Sequence, residues 1–247
     1  GLVEFHLSYK DLGVNLDNFD PIRKDMKLVI HAPELFENDH LLDLACQDSR
    51  YRKKSIKHMQ SLIKFCSRMS SMFPTQPQVN LVTNVGGFEL SGFDPVNIRA
   101  EKYRLLEDSL NQLEFGNVCI LPQTMPPFPW HFGGQSHHNL FVRPDEIRDF
   151  CEKNGLKICL DVSHSVLACR YLGISLTQLF QSVGHLVDHM HIADADGVDG
   201  EGLTIGEGSI DFDELSNLVS ETVPSSASWI PEVWQGHKNS GEGFLDA

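Results

Sequence analysis

The sequence predicts an α/β fold of the (β/α)8, or TIM, barrel type, with one domain over residues 1–247. Short apolar runs alternate with segments of helical spacing, a pattern typical of parallel strands joined by right-handed crossovers. Polar residues cluster where these runs end, which is the edge at which such barrels carry their chemistry. The 247 residues suffice for one barrel, and no low-complexity linker interrupts them.

Seven apolar runs are predicted as strands, and five of the segments between them are predicted as helices. The strands are Leu2–Leu7, Lys27–His31, Val79–Thr83, Val118–Leu121, Lys157–Asp161, Leu186–Ile192 and Ser228–Val233. The helices are Tyr51–Met69, Asn97–Leu113, Pro144–Asn154, Leu176–Val183 and Asp213–Val219. Pro144 suits the first turn of its helix, and Gly155 suits the point at which that helix ends.

Seven strands are one fewer than a closed eight-stranded barrel needs. The chain opens directly on a strand and stops at Gly243-Phe244-Leu245, where a last helix would begin. We therefore expect the first strand and the last helix to be missing, so that the chain is a domain excised from a longer multidomain protein. A seven-stranded or open barrel is the alternative.

Composition narrows the classes of partner. The formal net charge is -14, from 34 acidic and 20 basic residues, which argues against nucleic acid because phosphate binding needs clustered Lys and Arg. No run approaches the roughly 20 apolar residues of a membrane span, and the first residues lack the pattern of a signal peptide. The six cysteines form no CxxC pair, so we expect reduced thiols and a cytoplasmic location.

The run Lys157–Asp161 ends on a carboxylate, and His164 follows three residues later. An aspartate and an imidazole at one strand end suit a divalent metal such as Mn²⁺, Co²⁺ or Zn²⁺. Alternatively, Asp161 caps the next helix, as aspartate often does. These two residues alone leave both interpretations open.

The next strand end favours the metal. His189 and His191 alternate along the run and therefore point to the same side. We expect His191 at the rim, His189 deeper as a core histidine, and Asp194 either orienting a ligating imidazole or touching substrate. In the last run, Glu232 is a lone carboxylate among apolar residues, which would be costly to bury without a cation.

These motifs occur in an order that resembles a known family. The set comprises Val29-Ile30-His31-Ala32-Pro33-Glu34, Asp161-x-x-His164, His191-x-x-Asp194, Gly206-x-Gly208-x-Ile210-Asp211-Phe212 and Pro231-Glu232. It resembles the xylose isomerase-like barrel superfamily, which includes sugar isomerases, ketose 3-epimerases and the endonuclease IV type of nuclease. Three further segments look like the branch fused behind sialic acid (N-acetylneuraminate) synthase-like domains. Those segments are 4–12, 121–134 and 232–238.

The resemblance implies a metal site and the residues around it. Asp161, His191 and Glu232 would be ligands of a divalent metal (Mn²⁺, Co²⁺, Zn²⁺ or Mg²⁺). His164 would contact substrate or bind a second metal, and His31 would lie at the mouth. Where the family usually has a ligating Glu, after the run Val118–Leu121, this chain has Gln123. An amide oxygen can bind a metal but cannot act as a general base.

The same replacement bears on the reaction. The resemblance to ketose 3-epimerases implies two carboxylates, one on each face of the substrate carbon. In this chain Gln123 stands in place of one of them. Glu34, a histidine or the substrate itself would have to take over. The nuclease branch is disfavoured, because Asn84 follows the third strand where that branch has a metal-binding His, and residues 202–205 lack histidine.

Two loops supply further candidates for substrate binding. Trp130 and His131 lie in a Pro- and Gly-rich loop, which is typical of a lid or of a platform that stacks on a sugar ring, although a plain surface loop fits equally. His237 and Lys238 follow Glu232 and would meet a substrate phosphate or carboxylate.

The sequence therefore predicts a metal-dependent sugar or sugar phosphate isomerase or epimerase that works through an enediolate, with Glu232 or His164 moving the proton. If the fused context holds, the substrate is an acylated amino sugar or another precursor of sialic or nonulosonic acid. Two alternatives remain: a non-catalytic sugar- or metal-binding domain, and a metal-dependent lyase or hydrolase. The oligomeric state cannot be read from the sequence.

Overall fold

The computed structural model describes residues 1–18, 25–73, 76, 78–131, 134–236, 238 and 241–245. The chain divides into two compact units, each of which is considered by itself. The first unit comprises residues 1–87 and 96–122, and the second comprises residues 88–95 and 123–247.

The first unit is built on a parallel sheet of four strands. These are β1 (Leu2–His6), β2 (Lys27–His31), β3 (Val79–Thr83) and β4 (Val118–Pro122), and they are hydrogen-bonded in that order. Two helices belong to this unit, α1 (Ser49–Ser70) and α2 (Val96–Leu110). Leu28, Val29 and Ile30 are at most 1% exposed, as expected of a parallel strand covered on both faces.

Helix α1 shows how the sequence produces these elements. Asp48 caps it, since its Oδ1 accepts hydrogen bonds from the backbone N–H of Arg50 at 2.8 Å and Tyr51 at 3.2 Å. The buried residues of the helix recur at spacings of three and four, which gives one apolar stripe against the sheet. They include Met59, Leu62, Ile63, Cys66 and Met69.

The second unit contains a parallel sheet of three strands, β5 (Ile158–Asp161), β6 (Val187–Ile192) and β7 (Ser228–Pro231). Its helices are α3 (Pro144–Asn154), α4 (Val162–Leu172), α5 (Leu176–Val183), α6 (Phe212–Thr222) and α7 (Glu242–Leu245). Helix α3 begins with Pro144 and ends at Gly155, which adopts the left-handed conformation with φ 63°.

Short elements decorate both units. Antiparallel pairs join Leu35–Phe36 to His40–Leu41, Phe88–Glu89 to His137–His138, Trp130–His131 to Gly134–Gln135, and Asp194–Asp196 to Gly200–Leu203. Turns of 3-10 helix occupy Tyr9–Gly13, Leu16–Asn18 and Gly184–Leu186. Within the described residues, no helix combines the length and the apolar character that crossing a bilayer would require.

The structure contains every predicted strand and helix, and it adds helices α4 and α7 and the short antiparallel pairs. Each predicted strand is present, with ends shifted by at most two residues, and each predicted helix is present with small changes in its bounds. Helix α4 was not predicted as an element. It begins at Val162, directly after the strand that ends at Asp161, so no polar loop separates the two.

Candidate active site

Gln123 and Thr124 are attached to strand β5 in the second unit. Gln123 forms an isolated parallel bridge with Cys159, and the Thr124 N–H donates to the Cys159 carbonyl at 3.0 Å. The Thr124 hydroxyl accepts a hydrogen bond from the Asp161 N–H at 2.9 Å. These contacts fix the Gln123 side chain beside the end of β5.

Three side chains predicted as ligands converge around one nitrogen atom of a fourth, the Nδ1 of His191. The nearest is Glu232, whose Oε2 lies 2.5 Å away. Gln123 Nε2 lies at 3.2 Å, and Asp161 Oδ2 at 3.9 Å. Gln123 Nε2 also donates to Asp161 Oδ2 at 3.2 Å. The structure thus brings together the predicted set of Gln123, Asp161, His191 and Glu232 within the second unit.

Asp161 uses its two carboxylate oxygens for different tasks. Oδ1 accepts the His164 backbone N–H at 2.8 Å and so caps helix α4. Oδ2 faces Gln123 and the two imidazoles of His164 and His191. The two interpretations that the sequence left open for Asp161 are therefore compatible.

Burial dominates the electrostatics of Asp161. Removal from water raises the pKa of its carboxyl group, and the nearby Glu232 carboxylate adds to the rise, while His164 and His191 oppose it. The carboxylates of Asp161 and Glu232 therefore repel each other in a buried place, and the two imidazoles offset this repulsion only in part. A cation would relieve this imbalance.

His191 is fully buried, and its neighbours favour the protonated form of its imidazole. Burial disfavours the imidazolium form, but the Cys159 sulfur and the Glu232 carboxylate outweigh that cost and raise the pKa of His191 well above its ordinary value. A proton on Nδ1 then occupies the position to which the carboxylates point. His189, one alternation deeper, bonds to the Ser228 hydroxyl at 2.7 Å and is a core histidine, as expected.

His164 lies in the first turn of α4 and connects this cluster to an acidic residue that the sequence did not single out. Its Nδ1 bonds to the Thr124 carbonyl at 3.0 Å and lies 3.5 Å from Asp161 Oδ2. Its Nε2 lies 3.4 Å from Oε2 of Glu201. The contact depends on how residues 194–203 fold back, so no local motif marks Glu201 above other acidic residues of that loop.

Asp194 organises the loop that follows β6. Its two carboxylate oxygens accept hydrogen bonds from four backbone N–H groups, at 2.8 to 3.1 Å. The donors are Ala195, Gly206, Gly208 and Ile210. The described contacts of Asp194 are thus with the backbone of Ala195 and of the Gly206–Phe212 segment, and its predicted contact with a ligating imidazole or substrate stays a prediction.

The remaining candidates lie in other parts of the chain. In the first unit, His31 stacks on His6 with ring centroids 4.6 Å apart, and the Glu34 carboxylate accepts from Asn84 Nδ2 at 3.4 Å. In the second unit, Trp130 lies in a short antiparallel pair and is 59% exposed. Lys238 Nζ donates to Gln235 Oε1 at 2.7 Å. The side chain of His131 and all of His237 lie outside the described residues.

The fold agrees with the comparison to known families. The family described as xylose isomerase-like TIM barrel matches residues 17–245, and the chain therefore belongs to it. The fold is accordingly that of an α/β TIM barrel of this family. A search of the curated proteins finds no match.

Solved structures with the same fold include sugar epimerases and a nuclease. A D-tagatose 3-epimerase-like protein is 20% identical, with a TM-score of 0.63 over 94% of this chain and 81% of that chain. An L-ribulose 3-epimerase is 12% identical, with a TM-score of 0.63 over 94% and 70%. Endonuclease IV from Thermus thermophilus is 17% identical, with a TM-score of 0.50 over 89% and 72%. At these identities the likeness establishes the fold alone.

Proposed function

We propose that this protein is a divalent-metal-dependent isomerase or epimerase of sugars. The observation that carries the proposal is the convergence of Glu232, Gln123 and Asp161 on His191 Nδ1, within 2.5 to 3.9 Å. Similarity of the fold to sugar epimerases supports the reaction class. The endonuclease IV likeness does not favour a nuclease here, because the chain carries Asn84 at a position where that branch has histidine.

The donor set suits a divalent cation. Two carboxylates, one imidazole nitrogen and one amide form a mixed oxygen and nitrogen environment that accepts Mn²⁺, Co²⁺ or Zn²⁺, and Mg²⁺ less readily. The amide of Gln123 turns its nitrogen to the cluster, and rotation by half a turn would bring its oxygen to the same place. Burial raises the pKa of the Asp161 carboxyl group, and a cation held beside it would favour its ionised form.

Such a metal would supply Lewis acidity toward a substrate carbonyl or hydroxyl. The chain's own groups would perform the proton transfer. Glu232 is suited to this step because its side chain is 30% exposed while that of His191 is fully buried. Glu232 would take a proton from the carbon beside the carbonyl, and the electron pair left behind would form an enediolate.

The substrate proposed is a ketose or an acylated amino sugar. Ketoses are the substrates named for the similar epimerases, and the amino sugar follows from the sequence resemblance to the sialic acid synthase-fused branch. Gln123 favours a second candidate function, binding of a sugar or metal without turnover, because one carboxylate of a two-carboxylate reaction is missing.

Metal content and hydrogen exchange together test the proposal. Asp161→Asn retains an oxygen that can cap α4 but removes a negative charge, so we expect metal loss without unfolding. Elemental analysis after reconstitution with Mn²⁺ or Co²⁺ should give about one equivalent for the wild type and for Glu207→Gln, an exposed control. Asp161→Asn and Glu232→Gln should retain little.

Solvent deuterium then separates the two candidate functions. The loaded wild type should place deuterium from D2O on D-tagatose, D-psicose or N-acetylmannosamine, as followed by proton NMR. A wild type that holds no metal would contradict the site. One that holds metal and binds these sugars without exchange would favour the binding module.

A further inference from the structure

Glu201 is an acidic residue that lies beside His164 and has no role so far. It lies on the strand Gly200–Leu203 of the short antiparallel pair after β6. Its Oε2 is 3.4 Å from His164 Nε2, and its side chain is only 14% exposed. A carboxylate removed from water to that extent, facing an imidazole, is typical of functional sites.

The backbone directly after Glu201 is fixed. The Gly202 N–H donates to the Ser163 hydroxyl in α4 at 3.2 Å, and the Gly202 carbonyl accepts from the Trp234 N–H at 2.8 Å. A Cβ on Gly202 would overlap the Trp234 ring, so only glycine allows this packing. These contacts hold the neighbouring Glu201 against α4.

The orientation of His164 is fixed as well. Its Nδ1 donates to the Thr124 carbonyl at 3.0 Å, because a carbonyl oxygen can only accept. The nitrogen that meets Glu201 is therefore Nε2. The imidazole is held from both sides, and it keeps Glu201 at one place relative to Asp161.

Two glutamates thus stand at the two ends of one chain of contacts. Glu232 contacts His191, His191 lies 3.9 Å from Asp161, Asp161 lies 3.5 Å from His164, and His164 contacts Glu201. The side chains of Asp161 and His191 are 6% and 0% exposed, whereas Glu232 and Glu201 are 30% and 14% exposed. Both glutamates are thus more exposed than the two side chains at the middle of this chain of contacts, in which Asp161 stands between them.

We propose that Glu201 is the second catalytic carboxylate of this site and supplies the acid–base group that Gln123 cannot. The inference rests on the proposed function. One glutamate removes the proton from the carbon beside the substrate carbonyl, and the C–H electron pair moves into the enediolate. The other glutamate then donates its proton to the same carbon from the other side, and the electron pair forms the new C–H bond. Exchange with solvent restores both glutamates.

The experiment compares Glu201→Gln with Glu207→Gln, a matched change at an exposed glutamate of the same loop. Each variant, loaded with Mn²⁺, is incubated with D-tagatose, D-psicose or N-acetylmannosamine in D2O. Proton NMR follows both deuterium incorporation and conversion to the epimer. Mn²⁺ affinity is measured by competition titration, since Glu201 is not assigned as a ligand and its loss should leave that affinity within about twofold.

We expect Glu201→Gln to lower epimer formation by about 10²-fold or more, the usual contribution of a general acid–base. Deuterium incorporation into the starting sugar should persist on the face served by Glu232. Glu201→Asp should recover part of the epimer formation, and Glu207→Gln should match the wild type.

Three results would overturn the inference in distinguishable ways. Unchanged epimer formation in Glu201→Gln removes the catalytic role but leaves the proposed function. Loss of Mn²⁺ binding in that variant makes Glu201 a ligand or a structural residue. A wild type that exchanges no hydrogen of any of the three sugars removes both the inference and the proposed function.

A measurement without substrate tests the contact itself. In the metal-free protein, the Nε2 resonance of His164 in a proton–nitrogen correlation spectrum should move in Glu201→Gln and stay in place in Glu207→Gln. An unmoved resonance would contradict the contact between Glu201 and His164 on which the inference depends.

Discussion

At the scale of single residues, Gln123 lowers the negative charge of the candidate metal site by one compared with a glutamate at the same position. Its amide occupies a place among two carboxylates and an imidazole, and it brings no charge to balance a cation. Gln123 was predicted as a ligand through the family resemblance, because it stands where the family usually has a ligating Glu. Asp161, His191 and Glu232 were singled out because each stands at or beyond the end of an apolar run, and the resemblance implied that they are ligands.

Restoring a carboxylate at position 123 should strengthen metal binding. We expect Gln123→Glu to bind Mn²⁺ roughly 10-fold more tightly near neutral pH, a change of the size that altered ligand environments produce. Competition titration would measure it. The control is Gln112→Glu, which makes the same change of charge at an exposed position. Equal affinity for the wild type and Gln123→Glu would mean that this side chain does not face the metal.

The contact between Glu201 and His164 could not be predicted from the sequence. Its partner His164 lies 37 positions earlier in the sequence, and the two meet only because residues 194–203 fold back as an antiparallel pair. Neither spacing nor hydrophobic pattern records that contact. An acidic residue between two glycines is typical of an ordinary turn.

At the scale of elements, the strands and most helices follow from hydrophobic pattern, whereas α4 does not. Strand β5 and helix α4 meet at Asp161 and Val162 without a connecting loop. Buried residues continue across the junction on both sides, so the period does not visibly change. Val162 and Ser163 also have weak helix propensity, and the helix is specified by its aspartate cap and by burial.

The loop after β6 depends on a single carboxylate. Asp194→Asn can keep only two of the four N–H bonds, because its amide nitrogen is a donor and faces donors. An unsatisfied buried N–H costs about 1–3 kcal/mol, so hydrogen exchange at two of the amides of Ala195, Gly206, Gly208 and Ile210 should accelerate about tenfold or more. Asp196→Asn, in the same loop, should leave those amides unchanged. Wild-type exchange at all four amides would contradict this role.

At the scale of the whole molecule, the α/β barrel class was predicted from alternating strands and helices and the family from the order of motifs, and both are confirmed. The bounds of the domain and the missing first strand and last helix stay predictions. The expectation that this protein has no nucleic-acid partner, which was drawn from its acidic composition, also stays a prediction.

The free energy of unfolding should decrease at acidic pH because His40 is buried in the folded protein. Burial first, then the charges of Lys54 and His58, lower the pKa of His40 from 6.5 to about 4. The unfolded chain therefore takes up a proton that the folded chain refuses, so this contribution to stability is complete above about pH 6.5 and declines as pH falls toward 4. Denaturant unfolding should show that the free energy of unfolding of His40→Gln falls less than that of the wild type between those pH values. The difference should be on the order of 1–3 kcal/mol.

The exposed His185 provides the comparison for that experiment. His185→Gln removes a histidine side chain that is 52% exposed, and a substitution at such a position usually changes the free energy of unfolding by no more than about 0.5 kcal/mol. If His40→Gln and the wild type lose stability in parallel from pH 6.5 to 4, the buried imidazole at position 40 is not the group responsible.

The double use of Asp161 has a consequence for how this protein can change. One carboxylate ends a strand, starts a helix and points into the site, so a substitution there is judged by folding and by chemistry at once. Variation at this position is therefore expected to be narrow across a mutational library. The antiparallel arm that carries Glu201 follows β6, and libraries meant to alter the accepted sugar should place their diversity at residues 197–199 while leaving Glu201 and the β5–α4 junction untouched.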